Sequence, residues 1–214
     1  MKRWVLRTMV GVVGLTFAGK PAAAQEARVM QFTLAPNPKV VDCLARFPGD
    51  AANPPTARVR VVRLRDNDVL AINVQNVKPG LHFDLFTVQH SQFLADGTKD
   101  SDFKNFGLAW YQADLQADAL GTVRGFIKTI LLDKIFGFDP AAKLAPTNAF
   151  HVGFWFDDPN DAVPCGFDPD HPTPFNEVHK AGPLAMISLP DAETGLGPLC
   201  TNPDTSVTPA RCIP

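Results

Sequence analysis

Two short runs in this chain alternate polar and apolar residues with a period of two, a spacing that suits a half-buried β-strand and no helix. In Arg58-Val59-Arg60-Val61 the arginines would face water and the valines a core. In Leu70-Ala71-Ile72-Asn73-Val74-Gln75, Leu70, Ile72 and Val74 share one face and Ala71, Asn73 and Gln75 the other. Between the runs, Arg65-Asp66-Asn67-Asp68 carries side chains that hydrogen-bond turn backbone, so the two form a hairpin. Lys78-Pro79-Gly80 is a second turn, leading into a strand through Leu81, Phe83 and Leu85. Further strands are expected at Gln31 to Leu34, Leu108 to Ala117, Thr122 to Ile130, Phe150 to Phe156 and Ala185 to Leu189. The segment from Phe106 to Leu120 also fits a helix, because Ala109, Ala113 and Ala117 recur every fourth residue. The turn signal from Asp118 to Thr122 favours a strand there, and Leu131 to Phe138 reads as one short helix.

Residues 1–24 have the make-up of a cleavable secretory signal peptide. Lys2, Arg3 and Arg7 form its positive end, Met9 to Ala18 its apolar run, and Ala22-Ala23-Ala24 a small-residue cleavage site before Gln25. The apolar run is about half the ~20 residues a membrane-spanning helix needs. The expected product is therefore periplasmic or secreted, with no membrane span in the mature chain. Residues 25–214 form a single domain, of a size that buries about 70% of its unfolded surface. Its 16 basic and 22 acidic residues leave a net charge near −6, which argues against nucleic acid or an anionic membrane as partner. No basic stripe is visible along the chain.

All four cysteines, Cys43, Cys165, Cys200 and Cys212, lie in the mature part, an even count that reads as two disulfides in an oxidising compartment. Three connectivities exist. Pro203, Asp204 and Pro209 between Cys200 and Cys212 favour a loop closed by that pair, which leaves Cys43 with Cys165. From Asp139 onward the composition changes, with 13 of the 20 prolines in the last 76 residues. Proline removes ladder donors, so residues 139–214 are expected to be largely a Pro-rich, disulfide-tethered loop region.

Short strands joined by turns define a mainly β fold, an antiparallel immunoglobulin-like β-sandwich or Greek-key barrel, with fifteen of the chain's sixteen phenylalanines in the mature part to fill its core. Val77-Lys78-Pro79-Gly80-Leu81-His82 and the later run from Ala113 to Val123 resemble two stretches of the copper/zinc superoxide dismutase sandwich. In that family a proline-glycine-leucine-histidine turn opens a strand that continues with two alternating copper-binding histidines. Leu85 and Thr87 occupy those positions here, and His82 corresponds to the family's non-ligand histidine. The resemblance implies the sandwich without the copper activity.

Two residue sets could hold a metal. His82 and Asp84 share a strand face and His151 opens another strand, a set that suits zinc or copper if the strands pair so as to bring the three together. Asp157, Asp158, Asn160, Asp161, Asp168 and Asp170 offer clustered oxygens of the kind calcium takes, without the spacing of an EF-hand. There is no G-x-S-x-G, H-E-x-x-H or P-loop motif. Glu177 beside His179 is the one acid/base pairing of note, with Glu193 the other glutamate away from the leader. The leading expectation is an exported, non-enzymatic binding or structural module whose partner is a protein or a glycan. The alternatives are an exported metal-binding protein or diverged dismutase-like metalloenzyme, and a calcium-stabilised adhesion or matrix protein.

Overall fold

The computed structural model describes residues 28–64, 67–129, 136–139, 144–148, 151–174 and 180–213. In chain order the strands are β1 (Arg28–Pro36), β2 (Thr56–Arg63), β3 (Asp68–Gln75), β4 (His82–Val88), β5 (Ala109–Gln116), β6 (Val123–Thr129), β7 (Phe136–Asp139) and β8 (Leu144–Asn148). There follow β9 (His151–Phe156), β10 (Thr173–Pro174), β11 (Lys180–Ala181), β12 (Leu184–Ser188), β13 (Pro203–Asp204) and β14 (Arg211–Cys212). One turn of helix, α1 (Val41–Leu44), and a 3-10 turn (Pro159–Cys165) complete the described secondary structure.

Eight strands form one antiparallel sheet in the order β5-β4-β9-β12-β1-β2-β3-β6. Its two edges, β5 and β6, curl toward each other and nearly close a barrel. Gly125 of β6 marks how near they come. A Cβ there would stand 2.7 Å from Ile72 Cγ2 and 3.0 Å from Leu115 Cδ2, so only glycine leaves room for the β5 side chain to fill the seam.

The alternation read from the sequence sets the two faces. Ala57, Val59 and Val61 of β2, Leu70, Ile72 and Val74 of β3, and Phe83 and Leu85 of β4 all turn into one core with Val152, Phe154 and Phe156 of β9. Phe83 packs edge-on against Phe154 with ring centres 4.9 Å apart. Burying a side chain of this size contributes about 1.5–3 kcal/mol.

The outer face is divided. Across β4, β9 and β12 it is covered, because Phe86, Val88, Trp155, Leu184 and Ile187 form a second cluster under Phe93 and Phe106 from residues 89–108. Phe86 and Phe106 both meet the Trp155 ring edge-on, at 5.6 and 5.1 Å. The covering segment is fastened by Gln89, whose Oε1 accepts the Leu108 N–H at 2.8 Å and whose own N–H donates to the Phe106 carbonyl. Across β1, β2, β3 and β6 the outer face is open to solvent.

Cys43 of α1 bonds Cys165 at the end of the 3-10 turn, and Cys200 bonds Cys212, the pairing favoured from the sequence. The last 76 residues are more than loops, since β9 and β12 lie in the middle of the sheet between β4 and β1. The helix expected over Leu131 to Phe138 is corrected in part. Phe136–Asp139 is β7, paired with β8, where Gly137 disfavours helix; residues 131–135 lie outside the described ones. The segment that could have been helix or strand is strand β5.

Candidate functional site

His82 and Asp84 do share the outward face of β4, but His151 stands at the other end of the neighbouring strand. β9 runs antiparallel to β4, so Phe83 pairs with Phe156 and His151 pairs with Val88. His82 is six residues from that level, about 20 Å along the strand. The residue that opens β9 necessarily lies beside the end of β4, and this is why the three do not converge. Among the described residues no group of three His, Cys, Asp or Glu is placed to hold a metal.

Each member of the set has its own surroundings. His82 is exposed and its carbonyl accepts the Asp157 N–H at 3.0 Å. Asp84 is buried at 1% exposure, opposite Trp155 on one side and Asp114 on the other. His151 is buried against Ser188, and loss of water drives its imidazole down to about 4. Leu85 is core, and Thr87, also buried, accepts from Gln112 Nε2 at 3.0 Å. Beside Asp84, Tyr111 donates to Asp114 Oδ1 at 2.6 Å, and desolvation together with the two carboxylates pushes the phenol up to about 12. It is a lasting proton donor there and a poor nucleophile.

The acid-rich stretch is occupied with holding its own turns. Asp158 caps the 3-10 turn, accepting the Asn160 N–H and side-chain amide, both at 2.8 Å. Asp168 accepts the Asp170 N–H at 3.0 Å and stands 2.7 Å from His171 Nδ1, contacts that hold its carboxyl below the usual range. Asp161 is shifted the other way, by burial first and by Asp158 second. Glu177 and His179 lie outside the described residues, and Glu193 sits exposed in a turn whose N–H groups are held by Asp191.

Among the described residues, one arrangement with capacity for a ligand is only half disclosed by the sequence. On the open wall the register places Thr33, Arg58, Asn73 and Arg124 in one cross-strand row. The next row is Gln31, Arg60, Ala71 and Phe126. Arg58 and Arg60 stand about 7 Å apart along β2, and Arg124 stands two strands away, about 10 Å from Arg58. The three arginines are exposed and form no ion pair with any described residue. Their side chains, with Asn73 and the strand backbones, enclose an open groove of about 700 Å³. Phe126, 77% exposed, stands opposite Ala71, which lines the groove. Lys128 adds a further exposed cation beyond it, opposite Val69.

Guanidinium groups present paired N–H donors in the geometry of a carboxylate or phosphate, so a row of arginines without an ion pair among the described residues has the chemistry to receive an anion. Arg58 and Arg60 were seen to face water from the alternation of β2. Arg124 is distant from them in the chain, and only the pairing of β6 with β3 brings it alongside, although Val123, Gly125 and Ile127 around it and Phe126 follow the same alternation.

Fold and wall together define the class: an eight-stranded, nearly closed antiparallel β protein with one covered wall and one basic, open wall. No protein-family model matches the chain, and neither does any curated protein or solved structure.

Proposed function

We propose that this chain is an exported, non-enzymatic binding module of the cell envelope or extracellular space, and that its ligand docks on the wall of β1, β2, β3 and β6. The observation that carries this reading is the juxtaposition of Arg58, Arg60 and Arg124 beside the exposed ring of Phe126. An exposed aromatic next to cations that have no acidic partner among the described residues costs solubility and contributes nothing to the core, whereas in a binding surface both are the residue types that anchor partners.

Export is supported by the leader over residues 1–24 and by two disulfides, which persist where thiols are not kept reduced. A Greek-key barrel is supported by the chain path, in which β4 pairs with β5, the edges β5 and β6 approach each other across the seam, and β6 pairs with β3. The likeness to the copper/zinc superoxide dismutase architecture rests on the Pro79-Gly80-Leu81-His82 turn at the start of β4. With Leu85 and Thr87 packed where that family has copper histidines, the wall is a better candidate for function than the old metal position.

The test is expression with the leader in a bacterial host. The periplasmic product should have the mass of a chain beginning at Gln25 with both disulfides formed. It should retain a glycan or protein ligand from an array, while the Arg58→Gln/Arg60→Gln/Arg124→Gln variant, equally folded by circular dichroism, should not. Retention of the same ligands by the triple variant would overturn the assignment of the wall.

A further inference from the structure

Resting on that reading of the wall, we propose that the ligand is an acidic oligosaccharide, a short run of uronic-acid sugars whose carboxylates lie on Arg58, Arg60 and Arg124. Three features of the wall select this chemistry. The first is charge. The arginines are the only groups in the two rows that carry one, and all three are positive, in a mature chain whose net charge is near −6. A local positive field on an acidic body draws a short anion to one place, while the surrounding acidic surface repels a long polyanion that overruns the patch.

The second is what stands between the cations. Thr33 and Asn73 flank Arg58, and Gln31 flanks Arg60, so each guanidinium has a hydroxyl or an amide in the adjoining strand. These side chains both donate and accept hydrogen bonds, as the hydroxyls of a sugar do. Paired amide and guanidinium donors would serve a sugar that carries hydroxyls and one carboxylate per ring. A phosphodiester backbone has little use for the amides, and three cations release too few counterions to hold nucleic acid firmly.

The third is shape. Ala71 lies between Arg60 and Phe126, so the floor of the groove drops by most of a side chain between a cation and an exposed aromatic. Phe126 offers an apolar ring against which the C–H face of a sugar can lie. One aromatic is too few for the successive stacking by which single-stranded nucleic acids are held, which uses one ring per base. An anionic membrane would ask for several apolar side chains to enter the lipid boundary, and the two rows supply Phe126 alone as a large one.

The experiment is calorimetric titration of the mature, oxidised protein with tetramers of galacturonate, mannuronate, guluronate and glucuronate-containing glycans. The methyl-esterified or carboxyl-reduced form of each serves as a control. Parallel titrations use a phosphorylated single-stranded oligonucleotide and phosphatidylglycerol vesicles. The expected result is saturable binding of at least one acid tetramer. It should weaken about tenfold for each of Arg58→Gln, Arg60→Gln and Arg124→Gln, as loss of a charged hydrogen bond implies. Binding should vanish on esterification and weaken with Phe126→Ala, all four variants melting at the wild-type temperature. Equal or tighter binding of the oligonucleotide or the vesicles would overturn the glycan assignment and leave an anion-binding wall. Binding of only neutral glycans or proteins, still dependent on the arginines, would overturn it and leave the binding module. Failure of every probe here, together with array ligands that ignore the triple variant, would overturn both.

Discussion

His151 stands against Ser188, its Nδ1 3.0 Å from the serine carbonyl and 3.1 Å from the serine hydroxyl, and that hydroxyl also accepts the Val152 N–H at 3.1 Å. Burial is the main reason why the ring resists protonation; the Ser188 carbonyl opposes the shift and nearby His90, itself lowered by burial, adds to it. The folded value, about 4, lies below the ~6.5 of an unfolded histidine, so the stability tied to the neutral ring is complete above pH 6.5 and is lost as pH falls toward 4. Urea unfolding should show His151 accounting for on the order of 3 kcal/mol of lost stability between pH 7 and pH 4. His151→Gln should flatten that slope; the same slope in the variant would refute the assignment.

The two disulfides should differ in worth. Cys43–Cys165 spans 122 residues and ties α1 to the 3-10 turn, whereas Cys200–Cys212 closes a loop of 12. The entropy of the closed loop implies about 4–5 kcal/mol for the first and about 3 for the second. Thermal unfolding of Cys43→Ala/Cys165→Ala should therefore show the larger drop in Tm, and the reverse order would contradict the loop-length account.

Gly121 has φ +71°, and a Cβ there would overlap the Val77 carbonyl. The turn that holds it is dense with bonds. Asp118 Oδ1 accepts from the Leu120 and Thr122 N–H groups at 2.9 Å each, and the Arg46 guanidinium donates to the Leu120 carbonyl. Because neither backbone can withdraw, Gly121→Ala should destabilise by about 2–3 kcal/mol, more than an ordinary turn substitution. Denaturant midpoints for Gly121→Ala and for Gly80→Ala, which has a similar φ but nothing within 4 Å, separate overlap from strain.

Asp158 and Asp168 spend carboxylate oxygens on their own turns. Millimolar calcium or a chelator should therefore leave the melting curve where it is. Asp158→Ala should cost about 1 kcal/mol through loss of the cap, with or without calcium. A Tm that rises with calcium in the wild type and not in Asp158→Ala would restore the calcium reading.

The strands were legible because alternation is local: Val59 and Arg60 disclose their faces without reference to any other strand. The neighbours of each strand were not legible, and the site depends on neighbours. Placing His151 needed the direction of β9 against β4, and recognising the arginine wall needed β6 to lie next to β3. The same limit explains β9 and β12, whose central place in the sheet is hidden by the prolines around them. The second layer over Trp155 was obscured because Phe93 and Phe106 sit in irregular backbone, where no period announces which way a ring turns.

The unequal walls give the molecule two kinds of position. On β4, β9 and β12 almost every side chain is locked between two layers, and a change there is a change to the fold. At 58, 60, 124 and 126 the side chains end in water while their strands are held from inside by Val59, Ile72 and Val123. Those positions can be rewritten with little effect on folding, so the charge and shape of the wall can change while the frame behind it stays as it is, and the nearly closed sheet is a mount with an exchangeable face.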